Sequence, residues 1–193
     1  MNSNTSDERR EFFRIDDDVY LDATVINEEE FANAPDFLAN LHNDSFSLSA
    51  DFATLNNNIH PILNNIKQSH PDIAQYLEIL NKKIDSLGEH LLETAINYDE
   101  NKRITANLSA SGVMFETKNS FNKGDLVKLE VVLFPEKIGV LIFGKVVKAT
   151  EKDDGVRNIS IEFAHIRNED QELMIKHNLN KQMEDIREKN DYN

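Results

Sequence analysis

The 193-residue sequence contains no cysteine, which removes disulfides, thiolate nucleophiles and thiolate metal ligands and is compatible with a reducing compartment. Glycine and proline are sparse, at six and four. No phosphate-cradling glycine loop with a lysine is present, and Ser109-Ala110-Ser111-Gly112 lacks the glycine spacing of a nucleophile elbow. No apolar run approaches the roughly 20 residues needed to span a bilayer, and Met1 to Arg9 is polar with no signal-peptide core. Basic residues are also in short supply: 21 Lys and Arg face 35 Asp and Glu, a formal net charge of -14. Such a surface lacks the basic face that DNA or RNA requires, although a few local arginines suffice for one small anion. The six histidines (His42, His60, His70, His90, His165, His177) show no zinc-type spacing and read as polar helix or loop residues. The expectation is a cytoplasmic protein that is not an enzyme and carries neither cofactor nor metal.

What the sequence does contain falls into three parts: 1–27, 28–99 and 100–193. Residues 1–7 lack apolar content and are expected to be disordered. An arginine-bearing arm follows and ends in Asp16-Asp17-Asp18. Consecutive carboxylates on an extended chain point alternate ways, so a solvated turn with a transient ion pair to the arginines is favoured over a metal site. Val19, Leu21, Ala23 and Val25 then alternate with Tyr20, Asp22 and Thr24, the pattern of a half-buried strand.

From residue 28 to 99 the period lengthens. Pro35 opens a short amphipathic turn or helix, and Phe52, Ile59, Ile66, Ile73, Leu80 and Leu87 then recur every seven residues. Leu63, Leu77, Ile84, Leu91 and Tyr98 fill the companion position of this seam. His70-Pro71, with Ser69 as a cap, divides it into helices over about 50–68 and 71–98, and Pro61 is expected to kink or shorten the first. Two arrangements are open: a helical hairpin within one chain, or association of dimers to tetramers through Ile73, Leu77, Leu80, Ile84, Leu87 and Leu91. Association is favoured, because a long helix exposing that many apolar side chains forms a patch that monomers avoid.

Beyond residue 100 short alternating runs return: 103–108, 113–117, 126–134, 140–150 and 157–163, with a hairpin signal at Asp153-Asp154-Gly155. Six short antiparallel strands predict a small closed barrel, and Leu173, Met174, Leu179, Met183 and Ile186 predict a final helix packed over one mouth.

Two short stretches carry candidate chemistry. Arg9, Arg10 and Arg14 concentrate guanidinium groups, which bind phosphate bidentately and stack on bases, just ahead of the first strand. Asn107-Leu108-Ser109-Ala110-Ser111-Gly112 interrupts a strand-like run with small polar residues, either an ordinary polar turn or the seat of a planar polar ligand. Together, Arg10-x-x-x-Arg14 and Asn107-x-Ser109-x-x-Gly112 resemble the RxxxR and (D/N)xSxxG signature of PilZ domains, bacterial receptors for cyclic di-GMP. The likeness covers residues 8–27 and about 98–185. It implies an α+β fold: a six-stranded antiparallel PilZ-type β-barrel with an inserted helical coiled-coil or hairpin segment and a C-terminal helix. It further implies that Arg10 and Arg14, assisted by Arg9, contact phosphate and guanine, that Asn107 and Ser109 hydrogen-bond a guanine, and that Gly112 allows close backbone approach. The connection between the first two strands, short in most PilZ domains, here holds about 70 residues and is similar to that of atypical PilZ proteins that form tetramers. A downstream protein partner is implied but not named by any motif.

Overall fold

The computed structural model describes residues 13–41, 45–95 and 103–191. Six strands, β1 (Ile15–Ile26), β2 (Arg103–Ser109), β3 (Gly112–Thr117), β4 (Leu126–Leu133), β5 (Ile138–Glu151) and β6 (Arg157–Ile166), close into an antiparallel barrel in the order β1-β2-β3-β6-β5-β4. Closure depends on β1. Its first half pairs with β2, from Ile15 opposite Leu108 to Tyr20 opposite Arg103, and its second half pairs with β4, from Tyr20 opposite Val132 to Ile26 opposite Leu126. Period-two alternation turns Val19, Leu108, Val113, Leu129, Val131, Ile142, Ile159 and Ile161 into a fully buried core. β5 and β6 meet at Asp153–Gly155, where Asp154 and Gly155 adopt positive φ of 62° and 72°, as tight hairpin turns require.

The segment between β1 and β2 is helical. α1 (Glu28–Ala32) starts at a capping box in which Asn27 Oδ1 accepts from Glu30 N and Glu30 Oε2 accepts from Asn27 N. α2 (Ala34–Ala39) has Pro35 in its first turn. These two and the end of the fourth helix cover the outer barrel wall through a second apolar cluster that includes Tyr20, Leu38, Leu92, Phe134 and Phe143. α3 (Ser45–Ser69) and α4 (Pro71–Ala95) form an antiparallel hairpin within the chain: Phe52 packs on Gly88, Asn56 Nδ2 donates to Asp85 Oδ1, and Lys67 pairs with Glu78. The last helix, α5 (Asn168–Asp191), adds Leu173 and Met174 to the barrel core, and α3 adds Ala50.

The structure differs from expectation at four places. β1 begins at Ile15, so the three aspartates lie in a strand and not in a solvated turn. α3 runs unbroken through Pro61, whose exposed position lets water take the hydrogen bond that proline removes. Ser69 does not cap α4: its Oγ donates back to the carbonyls of Asn65 and Ile66, closing α3. The barrel mouth is shut by α3 and only the first half of α5, and Leu179, Met183 and Ile186 stay exposed.

Candidate functional site

The β2–β3 turn is built by its own side chains. Ser109 is fully buried, its Oγ accepts from Ser111 N at 3.3 Å and donates to the Gly112 carbonyl at 3.1 Å, and the Ser111 carbonyl accepts from Phe163 N at 2.9 Å. Gly112 sits where β3 presses on β6: a Cβ there would lie 2.7 Å from the Ile161 carbonyl oxygen. No side chain larger than hydrogen fits that approach without moving a strand. The Arg14 guanidinium lies beside this position, its Nη2 3.5 Å from where a Cβ would stand, an ordinary contact.

Arg14 therefore lies over the outer face of β2 and β3. Its Nη1 donates to Asn107 Oδ1 at 3.3 Å, a contact that joins residues 93 apart in sequence. Arg14, Asn107, Ser109 and Gly112, separate in the sequence, are thus brought to one patch, with Ser109 shaping the turn in this structure. Arg9 and Arg10 lie outside the described residues, as does the expected disorder of residues 1–7. Behind the turn, Ala110 and Ser111 border a cavity of about 790 Å³ shared with α2, β6 and the start of α5. Arg167 on its wall is held by Asp51 at 2.9 Å and Asp170 at 2.7 Å. Burial raises the Asp170 carboxyl above its ordinary range, although the Arg167 guanidinium opposes this.

The aspartates preceding Val19, read from sequence as a solvated turn, each have a partner in the fold. Alternation along β1 sends each to a different partner. Asp16 accepts from Asn107 Nδ2 at 2.8 Å, and Asp18 accepts from Thr105 Oγ1 at 2.7 Å, both on the outer face. Asp17 points inward and is 7 % exposed. Its Oδ2 lies 2.7 Å from His177 Nε2 and its Oδ1 3.4 Å from Lys181 Nζ, both on α5. An ionised carboxylate only accepts, so His177 Nε2 is the donor. Burial alone would raise the Asp17 carboxyl, but the hydrogen bond and charge of His177 together with Lys181 outweigh it and hold the group below its ordinary value. His177, read from sequence as a polar helix or loop residue, lies in α5 and is buried. The one signal available was that Ile15, Asp17 and Val19 continue the alternation of β1.

Residues 92–179 match the PilZ domain family. Over these residues the chain is similar to a PilZ domain. The match begins in the last turn of α4, so β1, which closes the barrel, lies outside it. Among solved structures, a pathogenic protein from Xanthomonas campestris, described as a tetrameric PilZ domain self-assembled via a helical bundle, matches with a TM-score of 0.54 and 10 % identity over 91 % of each chain. The Bacillus subtilis inhibitor of motility MotI/DgrA matches with a TM-score of 0.38 and 20 % identity, over 42 % of this chain and 42 % of that one. No curated protein matches the chain. PilZ domains are a family of cyclic di-GMP receptors.

The helical hairpin uses the two sides of α4 differently. Toward α3, α4 presents Asp85, which accepts from Asn56, and Gly88, where a Cβ would lie 2.8 Å from the Phe52 ring. The seven-residue seam points elsewhere: Ile73, Ile84, Leu87 and Leu91 are exposed, Leu87 by 64 %, and Leu77 and Leu80 are half-buried. On α3, Leu55, Ile59 and Ile62 are likewise exposed. At about 100° per residue, the α4 seam and Leu55 and Ile62 of α3 lie about 80–100° from the interhelical contact, whereas Ile59 borders the groove between the helices. Because the helices are antiparallel, the two ridges fall on the same side and form one apolar face. The hairpin and the exposed seam are therefore not alternatives: intramolecular packing uses one side of α4 and leaves the other uncovered. Among the described residues, no helix is long and apolar enough to cross a membrane.

Proposed function

We propose that this chain is a cytoplasmic cyclic di-GMP receptor in which the arginine arm closes over the outer face of the PilZ barrel. The observation that carries the reading is Arg14 reaching Asn107 beside Gly112, because it joins both halves of the motif in one patch. In this reading Arg10 and Arg14, with Arg9, grip phosphate and guanine. Asn107 reads the base, Ser109 shapes the turn and Gly112 permits close approach. β1 continues from the arm to Asp17, which is bonded to α5, so closing the arm acts on the element that shuts the barrel mouth. No catalytic step belongs to this function.

Isothermal titration with cyclic di-GMP tests it. Removing one charge partner of a buried contact costs about 2–5 kcal/mol, so Arg14→Ala and Arg10→Ala should each weaken binding by tens to thousands of fold. Unchanged affinity in both variants rejects the site.

The apolar face of the α3–α4 hairpin favours a second reading, in which the chain is an oligomeric scaffold or adaptor whose assembly does not depend on ligand. The described self-assembly of the Xanthomonas campestris PilZ protein through a helical bundle supports it. The two roles are compatible, the hairpin setting the number of receptors in a dimer to tetramer and the barrel sensing nucleotide for a downstream protein. Sedimentation with and without nucleotide separates them: a monomer at tens of micromolar rejects assembly, and a mass or shape change on adding ligand couples the two.

A further inference from the structure

A primary amide has nearly the same shape turned either way, so its polarity is decided by its neighbours. At Asn107 both neighbours agree. Asp16 offers only acceptors and sits 2.8 Å from Nδ2, and Arg14 offers only donors and sits 3.3 Å from Oδ1. The Asp16 contact is built into the barrel, because the β1–β2 register places Asp16 directly opposite Asn107. It does not depend on where the arm lies. Asn107 is thereby held with its NH2 toward β1 and its carbonyl toward the arm, an acceptor beside the guanidinium donors of Arg14.

The geometry points to Asp16 as a positioning residue that sets base specificity by fixing the polarity of the Asn107 amide. This rests on the reading of the patch as a purine dinucleotide site. Guanine presents an O6 acceptor next to the N1–H and N2–H donors, so O6 meets the guanidinium while N1–H meets Asn107 Oδ1. In the same pose adenine sets its N6 donor against the guanidinium and its N1 acceptor against the carbonyl oxygen, two mismatches at once. An amide free to turn removes the second mismatch for adenine and creates one for guanine. Asp16 also explains why a carboxylate is kept beside an anion site, where its charge by itself opposes phosphate. Its hydrogen bond to Asn107 offsets that cost through selectivity.

The test compares cyclic di-GMP with cyclic di-AMP by titration on the wild-type chain, Asp16→Ala and Asp16→Asn. Asp16→Asn preserves shape but lets both amides turn together. The wild type should prefer cyclic di-GMP, and that preference should fall by roughly tenfold or more in Asp16→Ala, with a smaller fall in Asp16→Asn. An unchanged preference overturns the proposal, as does equal tightening of both ligands, which would make Asp16 a competitor only. Hydrogen exchange of the Asn107 side-chain NH2, followed by nitrogen-15 NMR without ligand, gives an independent readout. Slow exchange in the wild type that becomes fast in Asp16→Ala is expected, and equal rates overturn the clamp whatever binds. If wild-type protein binds neither nucleotide while the exchange difference is present, the clamp stands and the receptor reading fails.

Discussion

His177→Ala removes the donor nearest a carboxylate that the fold has taken out of water. The side chains of Asp17 and His177 are 6 % and 5 % exposed and 2.7 Å apart, whereas Lys181, at 3.4 Å on the other carboxylate oxygen, is 30 % exposed. Breaking a buried pair by deleting one partner costs about 3–5 kcal/mol, and the remaining lysine brings the expected loss here to about 2–3 kcal/mol. For a chain of this size each kcal/mol moves Tm by about 2–4 °C, so Tm should fall by about 4–12 °C. Asp17→Asn removes the charge but keeps an acceptor, and about 1–2 kcal/mol is expected. The double variant has no stranded charge. Its loss should fall short of the sum of the single losses by about 1 kcal/mol or more. Urea unfolding followed by circular dichroism gives all three values, at one fixed protein concentration because association adds to apparent stability. Losses that add within about 0.5 kcal/mol would show that the two side chains do not interact and would refute the reasoning.

Acid should act through the same carboxylate. An unfolded aspartate takes up its proton near pH 3.9, while folded Asp17 is held lower, so the unfolded state binds more protons and stability falls as pH drops through about 4 and below. Asp170, raised by burial, works in the opposite direction. Asp17→Asn should therefore flatten the acid limb of a stability-against-pH curve, and an unaltered limb would assign it to other groups. Gly112→Ala forces a methyl to within 2.7 Å of the Ile161 carbonyl oxygen and should cost about 1–3 kcal/mol as β3 and β6 part; thermal melting that matches the wild type would show that the strands yield freely. Ile84→Glu with Leu87→Glu places charges on the uncovered seam while keeping good helix formers, so helical content should hold while the mass in light scattering drops toward the monomer. An unchanged mass would remove this face from the interface.

The sequence by itself determined the kind of each element and much of their order. Alternation marked the strands, the seven-residue spacing marked the long helices, and His70-Pro71 marked their division, because these signals are local and follow from where successive side chains point. The motif halves were legible for the same reason: each is a short run of unusual residue types. What lay beyond local pattern was pairing. Asp16-Asp17-Asp18 looks solvated in one dimension, and only a closed barrel puts Asn107 opposite the first of them and His177, 160 residues away, against the second. The seam of α4 looked like the face that any helical packing would use. Tertiary structure decided that the hairpin closes through Asp85, bonded to Asn56, and Gly88, which lets Phe52 approach, and so leaves the apolar seam uncovered. A residue's type limits which partners can satisfy it, but only the closed chain brings a particular partner within reach.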